Sequence, residues 1–376
     1  MEKPLPFFAM LQNCTFSVPQ MRLWGGKMVA EQEKEDFIMT SNIILQARGL
    51  KKYYGSGETQ VRALDGVNLD IERGKFTAII GTSGSGKSTL LNMLGGLDTP
   101  TEGSIQVGGT ELANLSSEQA TIFRRKQIGF IFQNYNLVPV LSVWENIIFP
   151  ISLDGRKPDK NFIMQIVSLL GLQKKLDSLP NNLSGGQQQR VAIARALATN
   201  PKIILCDEAT SALDPTTTTS ILNLLREINR RMGITIVIIT HEMSVVESTC
   251  THVAIIDDGQ LAECGTVESV FSQPKSAAAK KLIFRTAGAD SGAMGERMIR
   301  IVFEGSSADE PTISDLAMQC HVAVNIRYAD TREVSGKLFG QMILQLPEDH
   351  LQQEKAIYFL QNKGLRVEEV NGHVHG

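Results

Sequence analysis

The sequence has no run of about 20 consecutive apolar residues, the length that a helix needs to span a bilayer. If the protein works at a membrane, another chain must therefore do the spanning. Charge imbalance is also small, since the net charge at pH 7 is −3, and no nucleic-acid surface is expected. The few cysteines are odd in number and lack metal-ligand spacing, which indicates reduced thiols of a cytosolic protein. They are Cys14, Cys206, Cys250, Cys264 and Cys320.

The length of 376 residues allows two domains. Hydrophobic residues make up 42% of the sequence and charged residues 20%, which is an ordinary composition for a globular protein. Residues 1–42 contain three prolines and no sustained periodicity, so we expect a poorly ordered N-terminal extension. Residues 43–271 alternate between strand and helix patterns. Residues 272–296 are rich in Ala, Ser, Gly and Lys, which is typical of a linker. Residues 297–376 then form a second, small domain.

The first domain contains several short apolar runs that predict buried strands. Because helical patterns separate these runs, we expect an α/β fold with much parallel pairing and helices on the sheet faces. The runs are Phe76–Ile80, Ile128–Phe132, Ile203–Cys206, Ile234–Thr240 and Val253–Asp257.

The second domain has the predicted order βαββαβ, which is a ferredoxin-like α+β layout. Alternating apolar residues predict strands, 3.6-residue periodicity predicts helices, and Gly364 is expected to end the second helix. The predicted elements are Ile299–Glu304, Thr312–Cys320, Val322–Asp330, Lys337–Leu346, His350–Lys363 and Leu365–Val370.

A phosphate-binding loop, GTSGSGKS, occupies Gly81–Ser88 between the predicted strand Phe76–Ile80 and a predicted helix, Ser88–Leu94. Its glycines let the backbone turn its N–H groups towards phosphate oxygens at the helix N-terminus. Lys87 is then placed to meet the β- and γ-phosphates, and the Ser88 hydroxyl to complete a Mg²⁺ shell. The residues predicted to contact nucleotide here are Gly81, Ser83, Gly84, Ser85, Gly86, Lys87, Ser88 and Thr89.

Two adjacent carboxylates end the apolar stretch IILCDE at Ile203–Glu208. Open α/β sheets bind ligands at the carboxyl ends of their strands. Neighbours on an extended chain point opposite ways, so we expect Asp207 to face Mg²⁺ and Glu208 to face the attacking water. Such a pair alone is usually a solvated turn, but the phosphate loop earlier in the chain favours catalysis.

Three other segments fit the same site. His241 follows Ile234–Thr240 and is expected near the γ-phosphate, while Gln133 follows Ile128–Phe132 and is expected to touch metal or water. Each alone is more often a satisfied surface group. Ser184-Gly185-Gly186 begins a further helix that reaches Ala198, and its N-terminus offers a second anion site.

These motifs, in this order, resemble the ATPase subunit of ATP-binding-cassette transporters over about 230 residues. The set comprises GTSGSGKS, Gln133, LSGGQ at Leu183–Gln187, IILCDE, SALD at Ser211–Asp214, and His241. The resemblance implies a P-loop NTPase cassette with a RecA-like core, an antiparallel β part and a helical insert at about 98–180. It also implies ATP as substrate and Mg²⁺ as its partner ion.

The resemblance further implies a head-to-tail homodimer. Ser184, Gly186 and Gln187 of one copy would close over ATP held by the other copy, and Asp214 would cross the interface. The family stacks adenine on an aromatic residue about thirty positions before the loop. That position corresponds to Tyr54, with Tyr53 as the alternative.

Three more specific features resemble the ATPase subunit of bacterial methionine importers. They are the segments CDEATSALDP at Cys206–Pro215 and THEM at Thr240–Met243, and the C-terminal βαββαβ domain. The resemblance implies two integral-membrane permease subunits, an extracytoplasmic binding lipoprotein and a place at the cytoplasmic face of the membrane. It implies uptake of L- or D-methionine or a related amino acid. It also implies that methionine binds the C-terminal domain, which is named for an Asn-Ile-Leu triplet and would hold the ATPases apart when cytosolic methionine is high. Here Asn325 and Ile326 match that triplet, and Arg327 replaces the Leu.

The sequence also allows other interpretations of the protein's function. YGSGETQVRALDGV at Tyr54–Val67 also resembles ATPases of lipoprotein-release and macrolide exporters, which usually lack such a C-terminal domain. Soluble cassette ATPases of DNA repair or translation typically carry a long coiled coil or two cassettes. The C-terminal domain is alternatively a packing module without ligand. RNA binding is disfavoured, because residues 297–376 hold eight Lys/Arg against eleven Asp/Glu.

Overall fold

The computed structural model describes residues 42–209, 213–283, 297–304, 310–334 and 337–369. The predicted N-terminal extension therefore lies outside the described residues, apart from Asn42. The strands in these ranges are β1 (Ile43–Tyr54), β2 (Val61–Glu72), β3 (Phe76–Ile80), β4 (Glu102–Val107), β5 (Thr110–Glu111), β6 (Ile128–Ile131), β7 (Ile203–Asp207), β8 (Thr235–Ile239), β9 (His252–Asp257), β10 (Gln260–Thr266), β11 (Met298–Glu304), β12 (Asn325–Val334), β13 (Lys337–Gln345) and β14 (Arg366–Glu369).

The α-helices follow the strands closely along the chain. They are α1 (Lys87–Leu94), α2 (Ser117–Gln127), α3 (Val143–Leu153), α4 (Lys160–Leu169), α5 (Gly185–Leu197), α6 (Pro215–Met232), α7 (Met243–Thr249), α8 (Val267–Ser272), α9 (Ala277–Ile283), α10 (Thr312–Cys320) and α11 (His350–Asn362). In the described part of the chain, no helix is long and apolar enough to cross a membrane.

The central sheet has the strand order β10-β9-β3-β8-β7-β6, and every neighbouring pair except β10 with β9 is parallel. All five residues of β3 and of β8 are buried. Parallel strands covered on both faces read as continuous apolar runs, which explains why these strands were visible in the sequence. The carboxyl ends of β3, β6, β7 and β8 share one edge of the sheet, as the α/β prediction requires.

A second sheet, β2-β1-β4-β5, is antiparallel and packs over α1. Leu45 and Ala47 of β1 and Ile105 and Val107 of β4 are buried on its inner side. The alternation of EGSIQV in β4 is the pattern of a sheet with one solvated face.

The range predicted for the helical insert, about 98–180, contains strands as well as helices. β4 pairs with β1, and β6 pairs with β7, so both strands belong to the two sheets. The helices α3 and α4 follow β6. The strand β6 was predicted from its apolar run, whereas β4 was not.

The C-terminal domain has the strand order β12-β13-β11-β14, with antiparallel pairs throughout, and its chain order confirms the predicted βαββαβ layout. Its core lies between the sheet and the two helices, where Ile299, Ile301, Leu316, Leu344 and Leu360 have no exposed surface. β12 begins at Asn325 rather than at the predicted Val322, and it continues to Val334.

The predicted linker, 272–296, contains a helix. Ala279 and Ile283 of α9 are buried in the core of the first domain, and residues 284–296 lie outside the described ranges. Alanine has the highest helix propensity, so the Ala-rich segment AAAKKLI suits a helix with a narrow apolar face. The two domains also touch, because α7 contacts β12 and Phe339 of β13 belongs to the same hydrophobic cluster as the first domain's helices.

Candidate functional site

The phosphate loop joins β3 to α1 at the carboxyl edge of the central sheet. Gly86 is the N-cap of α1 and adopts φ 98°. The Lys87 side chain is buried and folds back over the loop, where its Nζ donates to the Thr82 carbonyl at 2.6 Å and to Ser85 Oγ at 3.4 Å. Burial lowers the pKa of Lys87, while the charges of Glu208 and Asp207 raise it. The loop thus presents a helix N-terminus and a lysine in one place, which suits anion binding.

Gly86→Ala is expected to lower the free energy of unfolding and to abolish nucleotide binding. A Cβ at Gly86 would lie 2.2 Å from the Ala63 carbonyl oxygen, in a left-handed conformation that alone costs about 1 to 2 kcal/mol. The matched control is Gly84→Ala. Gly84 has φ 78°, but its added Cβ would meet nothing within 4 Å. Urea denaturation without nucleotide should show a clearly larger loss for Gly86→Ala, and equal losses would contradict the clash.

Ser88 and Asp207 meet at the start of α1, although 119 residues separate them. The Ser88 hydroxyl donates to Asp207 Oδ1 at 3.3 Å. Burial raises the pKa of Asp207, the Ser88 hydrogen bond lowers it, the charge of Glu208 raises it and that of Lys87 lowers it. A carboxylate whose charge is disfavoured in this way gains from a nearby cation.

Glu208 departs from the geometry predicted for it. β7 ends at Asp207, and Glu208 adopts φ 43°, so the two carboxylates do not alternate as on an extended strand. Non-glycine residues with positive φ are uncommon and cluster at functional sites. The turn directs the Glu208 carboxylate towards His241, whose Nδ1 lies 3.4 Å from Glu208 Oε1. His241 follows β8 and is exposed, whereas Glu208 is half-buried.

Gln133 follows β6 at the same edge of the sheet and is exposed. In the loop that follows Gln133, Tyr135 and Asn136 adopt positive φ angles of 58° and 49°. Arg195 of α5 clamps both, since Nη2 donates to the Tyr135 carbonyl at 2.7 Å and Nη1 to the Asn136 carbonyl at 2.5 Å. Burial lowers the pKa of Arg195. The forked guanidinium therefore ties the loop after Gln133 to the helix that begins beside Ser184.

Arg195→Lys is expected to loosen this loop, because an ammonium cannot reproduce two hydrogen bonds in a fixed fork. We expect amide hydrogen exchange at residues 133–137 to become at least about tenfold faster, which corresponds to about 1.4 kcal/mol, the scale of one or two lost hydrogen bonds. Arg190→Lys is the control. Arg190 is also on α5, but it donates to the Leu170 carbonyl and to Ser220 Oγ. Similar exchange at residues 133–137 in both variants would contradict the clamp.

Ser184, Gln187 and Asp214 have structural partners within the chain. Ser184 caps α5 in a capping box, where its Oγ accepts from the Gln187 N–H and Gln187 Oε1 accepts from the Ser184 N–H. Asp214 caps α6 by accepting from the Thr217 N–H. Hydrogen bonds from the side chain and then the backbone N–H of Thr217 hold the pKa of Asp214 below its usual range. Their predicted contacts across a dimer remain predictions. Ser211 lies outside the described residues.

Tyr54 rather than Tyr53 faces the phosphate-loop helix. The Tyr54 hydroxyl donates to Asp98 Oδ2 at 3.0 Å, and burial and this hydrogen bond raise its pKa, while the Thr89 side chain lowers it. Tyr53 points to the other side of β1, where its hydroxyl donates to Asp65 Oδ1. The adenine position predicted at Tyr54 is therefore next to α1. Neither Asp98 nor Arg195 was singled out from the sequence, because their partners are distant in the chain.

In the C-terminal domain, Asn325 and Ile326 open β12, the strand at one edge of the sheet. Both side chains are exposed, and Asn325 Nδ2 donates to Gln345 Oε1 at 3.2 Å. Ligand binding at these residues remains a prediction. Among the described residues there is no cluster of three His, Cys, Asp or Glu that could hold a metal ion.

Comparisons with known proteins agree with this geometry. The family model described as ABC transporter matches residues 64–211, and the NIL domain model matches residues 297–369. A dimeric structure of the ATP-binding cassette MJ0796, described as bound to ADP and Pi, is 39% identical, covers 60% of this chain and 99% of that chain, and gives a TM-score of 0.55. CbiO1 from Clostridium perfringens is 32% identical, covers 62% of this chain and 92% of that chain, and gives a TM-score of 0.57.

The fold and these matches define an ATP-binding-cassette ATPase, and the predicted fold class is confirmed. Methionine import ATP-binding proteins from Desulfitobacterium hafniense and Escherichia coli strain K12 are 43% and 44% identical over 338 and 345 residues. These alignments cover 87% and 88% of this chain and 99% and 100% of the relatives. The chain belongs to the family of methionine import ATP-binding proteins, so it binds ATP and is an ATPase coupled to transport.

Proposed function

We propose that the chain hydrolyses ATP to drive methionine uptake, as the names of its relatives suggest for those proteins. The proposal of ATP hydrolysis rests on two pairs of side chains that meet beside the phosphate loop, Ser88 with Asp207 and Glu208 with His241. Phosphoryl transfer needs positioned cations, a group that orients water and a cradle for phosphate. The edge of the central sheet offers residues for each of these tasks.

In the proposed mechanism, Lys87 and the N–H groups of residues 84–89 hold the phosphates. The Glu208 carboxylate accepts a hydrogen bond from the attacking water, orients it for attack in line with the leaving group and, as general base, accepts its proton. His241 Nδ1 lies 3.4 Å from Glu208 Oε1, so it steadies that carboxylate. We propose that His241 also meets the γ-phosphate as charge develops on its oxygens. The His241 side chain is exposed and therefore accessible to a nucleotide.

The oxygen donors at this edge fit Mg²⁺. Ser88 Oγ and Asp207 Oδ1 are 3.3 Å apart, and Mg²⁺ prefers a few protein oxygens completed by substrate phosphates. We propose that Ser88 and Asp207, with Gln133 as a further ligand, hold the ion when nucleotide is bound. The bound ion would neutralise charge on the phosphate oxygens.

We propose a homodimer in which Ser184, Gly186, Gln187 and Asp214 of one copy complete the nucleotide site of the other. The dimeric MJ0796 structure, whose sequence is 39% identical, supports this arrangement.

We propose that the permease subunits bind in an apolar groove beside the Gln133 loop. Phe132, Phe149 and Pro150 line it together with Arg195, so motion of the permease would reach the clamped loop directly.

We also propose that the chain divides into the four predicted parts, residues 1–42, 43–271, 272–296 and 297–376. We further propose that the C-terminal domain binds methionine and lowers the ATPase rate. The contact between α7 and β12 supports such a link, because α7 begins two residues after His241. We also propose that the chain lies at the cytoplasmic face of the membrane and works with a substrate-binding lipoprotein on the other side.

The function is tested by measuring uptake of radiolabelled methionine in cells that lack this chain. Uptake should fall and should return with the wild-type chain but not with Glu208→Gln. Normal uptake together with lost lipoprotein release or macrolide resistance would replace the importer with an exporter. Normal uptake with defective DNA repair or translation would place the ATPase outside transport.

A further inference from the structure

A cluster of polar side chains surrounds Tyr54 on the side of β1 that faces α1. Asp98, in the connection from α1 to β4, lies at its centre. Asp98 Oδ2 accepts from the Tyr54 hydroxyl at 3.0 Å, and Asp98 Oδ1 accepts from Lys52 Nζ at 2.8 Å and from the Thr99 N–H at 2.7 Å. Lys52 Nζ donates in addition to the Thr99 carbonyl at 2.9 Å. One carboxylate thus joins the connection to two residues of β1.

The period of the strand explains why these groups meet. Residues two apart on a strand share a face, so Lys52 and Tyr54 point to the same side while Tyr53 points to the other. Lys52 Nζ lies 5.0 Å from the centroid of the Tyr54 ring, which is cation–π distance. Lys52 therefore covers one face of the ring.

The electrostatics of Asp98 agree with an anchoring role. Burial alone would raise the pKa of Asp98, but the hydrogen bonds from Lys52, the Thr99 N–H and Tyr54 together hold it below its usual range. The carboxylate therefore stays ionised at neutral pH and accepts all three hydrogen bonds. Tyr54 itself is 44% exposed, so its ring still offers surface to a ligand.

We propose that Asp98 and Lys52 are positioning residues for the adenine base. Asp98 fixes the Tyr54 ring by its hydroxyl, and Lys52 occupies one ring face, so the base stacks on the opposite face only. This inference rests on the proposed nucleotide site and deepens it, since it assigns recognition of the base to a cluster separate from the phosphate loop. A ring held in place before binding loses less conformational freedom when the base stacks on it.

The test compares two ligands, ATP and inorganic tripolyphosphate, which share the phosphate chain and differ in the base. Isothermal titration without Mg²⁺ avoids hydrolysis. Asp98→Ala is expected to raise the Kd for ATP by roughly three- to tenfold, the range of one or two lost hydrogen bonds, and to leave the Kd for tripolyphosphate unchanged. In a Tyr54→Ala background, Asp98→Ala should have no further effect on ATP binding.

Tyr54→Phe provides a second variant in case Asp98→Ala fails to fold, since it keeps the ring and removes only the anchored hydroxyl. It should weaken ATP binding by a similar factor. Its matched control is Tyr53→Phe, which removes the hydrogen bond to Asp65 on the opposite face of the strand and should leave ATP binding unchanged.

Equal weakening of both ligands by Asp98→Ala, or additive effects of Asp98→Ala and Tyr54→Ala, would overturn the inference, because either result would show a general structural role. A wild-type chain that binds tripolyphosphate but not ATP would instead refute the proposed nucleotide specificity. These outcomes separate a failure of the inference from a failure of the proposed function.

Discussion

Glu208→Gln should bind ATP with unchanged affinity and hydrolyse it more slowly by a factor on the order of 10² to 10⁴, the usual contribution of a general base. The amide has the same shape as the carboxylate, but it cannot accept a proton from water. The strained backbone at Glu208, with φ 43°, and its neighbour His241 at 3.4 Å remain in this variant. ATP binding and single-turnover hydrolysis measured on the same preparation separate the two effects.

The same variant should accumulate as an ATP-bound dimer, because the closed state is no longer emptied by hydrolysis. Size-exclusion chromatography with ATP and Mg²⁺ would detect the dimer. Glu242→Gln is the matched control, since it changes a neighbouring carboxylate that follows His241 in the chain. Unchanged turnover in Glu208→Gln would refute the role of this carboxylate, and equal losses in both variants would point to general electrostatics.

Removal of residues 297–376 is expected to give an ATPase that no longer responds to methionine. Allosteric coupling between two sites is typically worth roughly 5- to 150-fold in affinity, and the response to methionine would be lost with the domain proposed to bind it. Steady-state ATPase rates against methionine concentration, measured for the importer complex, give the comparison. An inhibition curve identical to that of the full chain would exclude the regulatory proposal.

Because the two domains touch, point variants in the C-terminal domain are needed beside the truncation. Phe339 is 9% exposed and packs with the hydrophobic cluster of the first domain, so truncation also uncovers apolar surface. Ile326→Ala and Asn325→Ala keep the domain and change only exposed side chains at the predicted ligand position. Met318→Ala, at another exposed apolar residue of the same domain, is the control. Loss of methionine inhibition in all three variants would argue against a site at Asn325 and Ile326.

Several parts of the molecule were predictable because their signals are local. The apolar runs of β3 and β8 are buried on both faces and stand out without knowledge of their partners. The phosphate loop is a fixed spacing between a strand and a helix, and the structure has that strand and that helix. The βαββαβ order of the C-terminal domain followed in the same way from alternation, helical periodicity and Gly364. Errors of one to four residues at element ends did not alter these assignments.

The strand β4 and the helix α9 were not predicted from the sequence, for a different reason. β4 is a short strand whose assignment depends on a partner far along the chain, β1. The helix α9 is ordered by burial of Ala279 and Ile283 against the first domain, whereas composition alone predicted a linker. Tertiary packing overrides weak local preferences in such segments.

The sequence by itself determined which chemical groups the protein has and the order in which strands, helices and the phosphate loop follow one another. Tertiary structure alone decided which of these groups meet: Ser88 with Asp207, Glu208 with His241, and Tyr54 with Asp98. The physical reason is that spacing and periodicity act over a few residues, whereas these contacts depend on the order of strands in a sheet. Backbone conformations such as the positive φ of Glu208 are likewise imposed by the packed edge of that sheet.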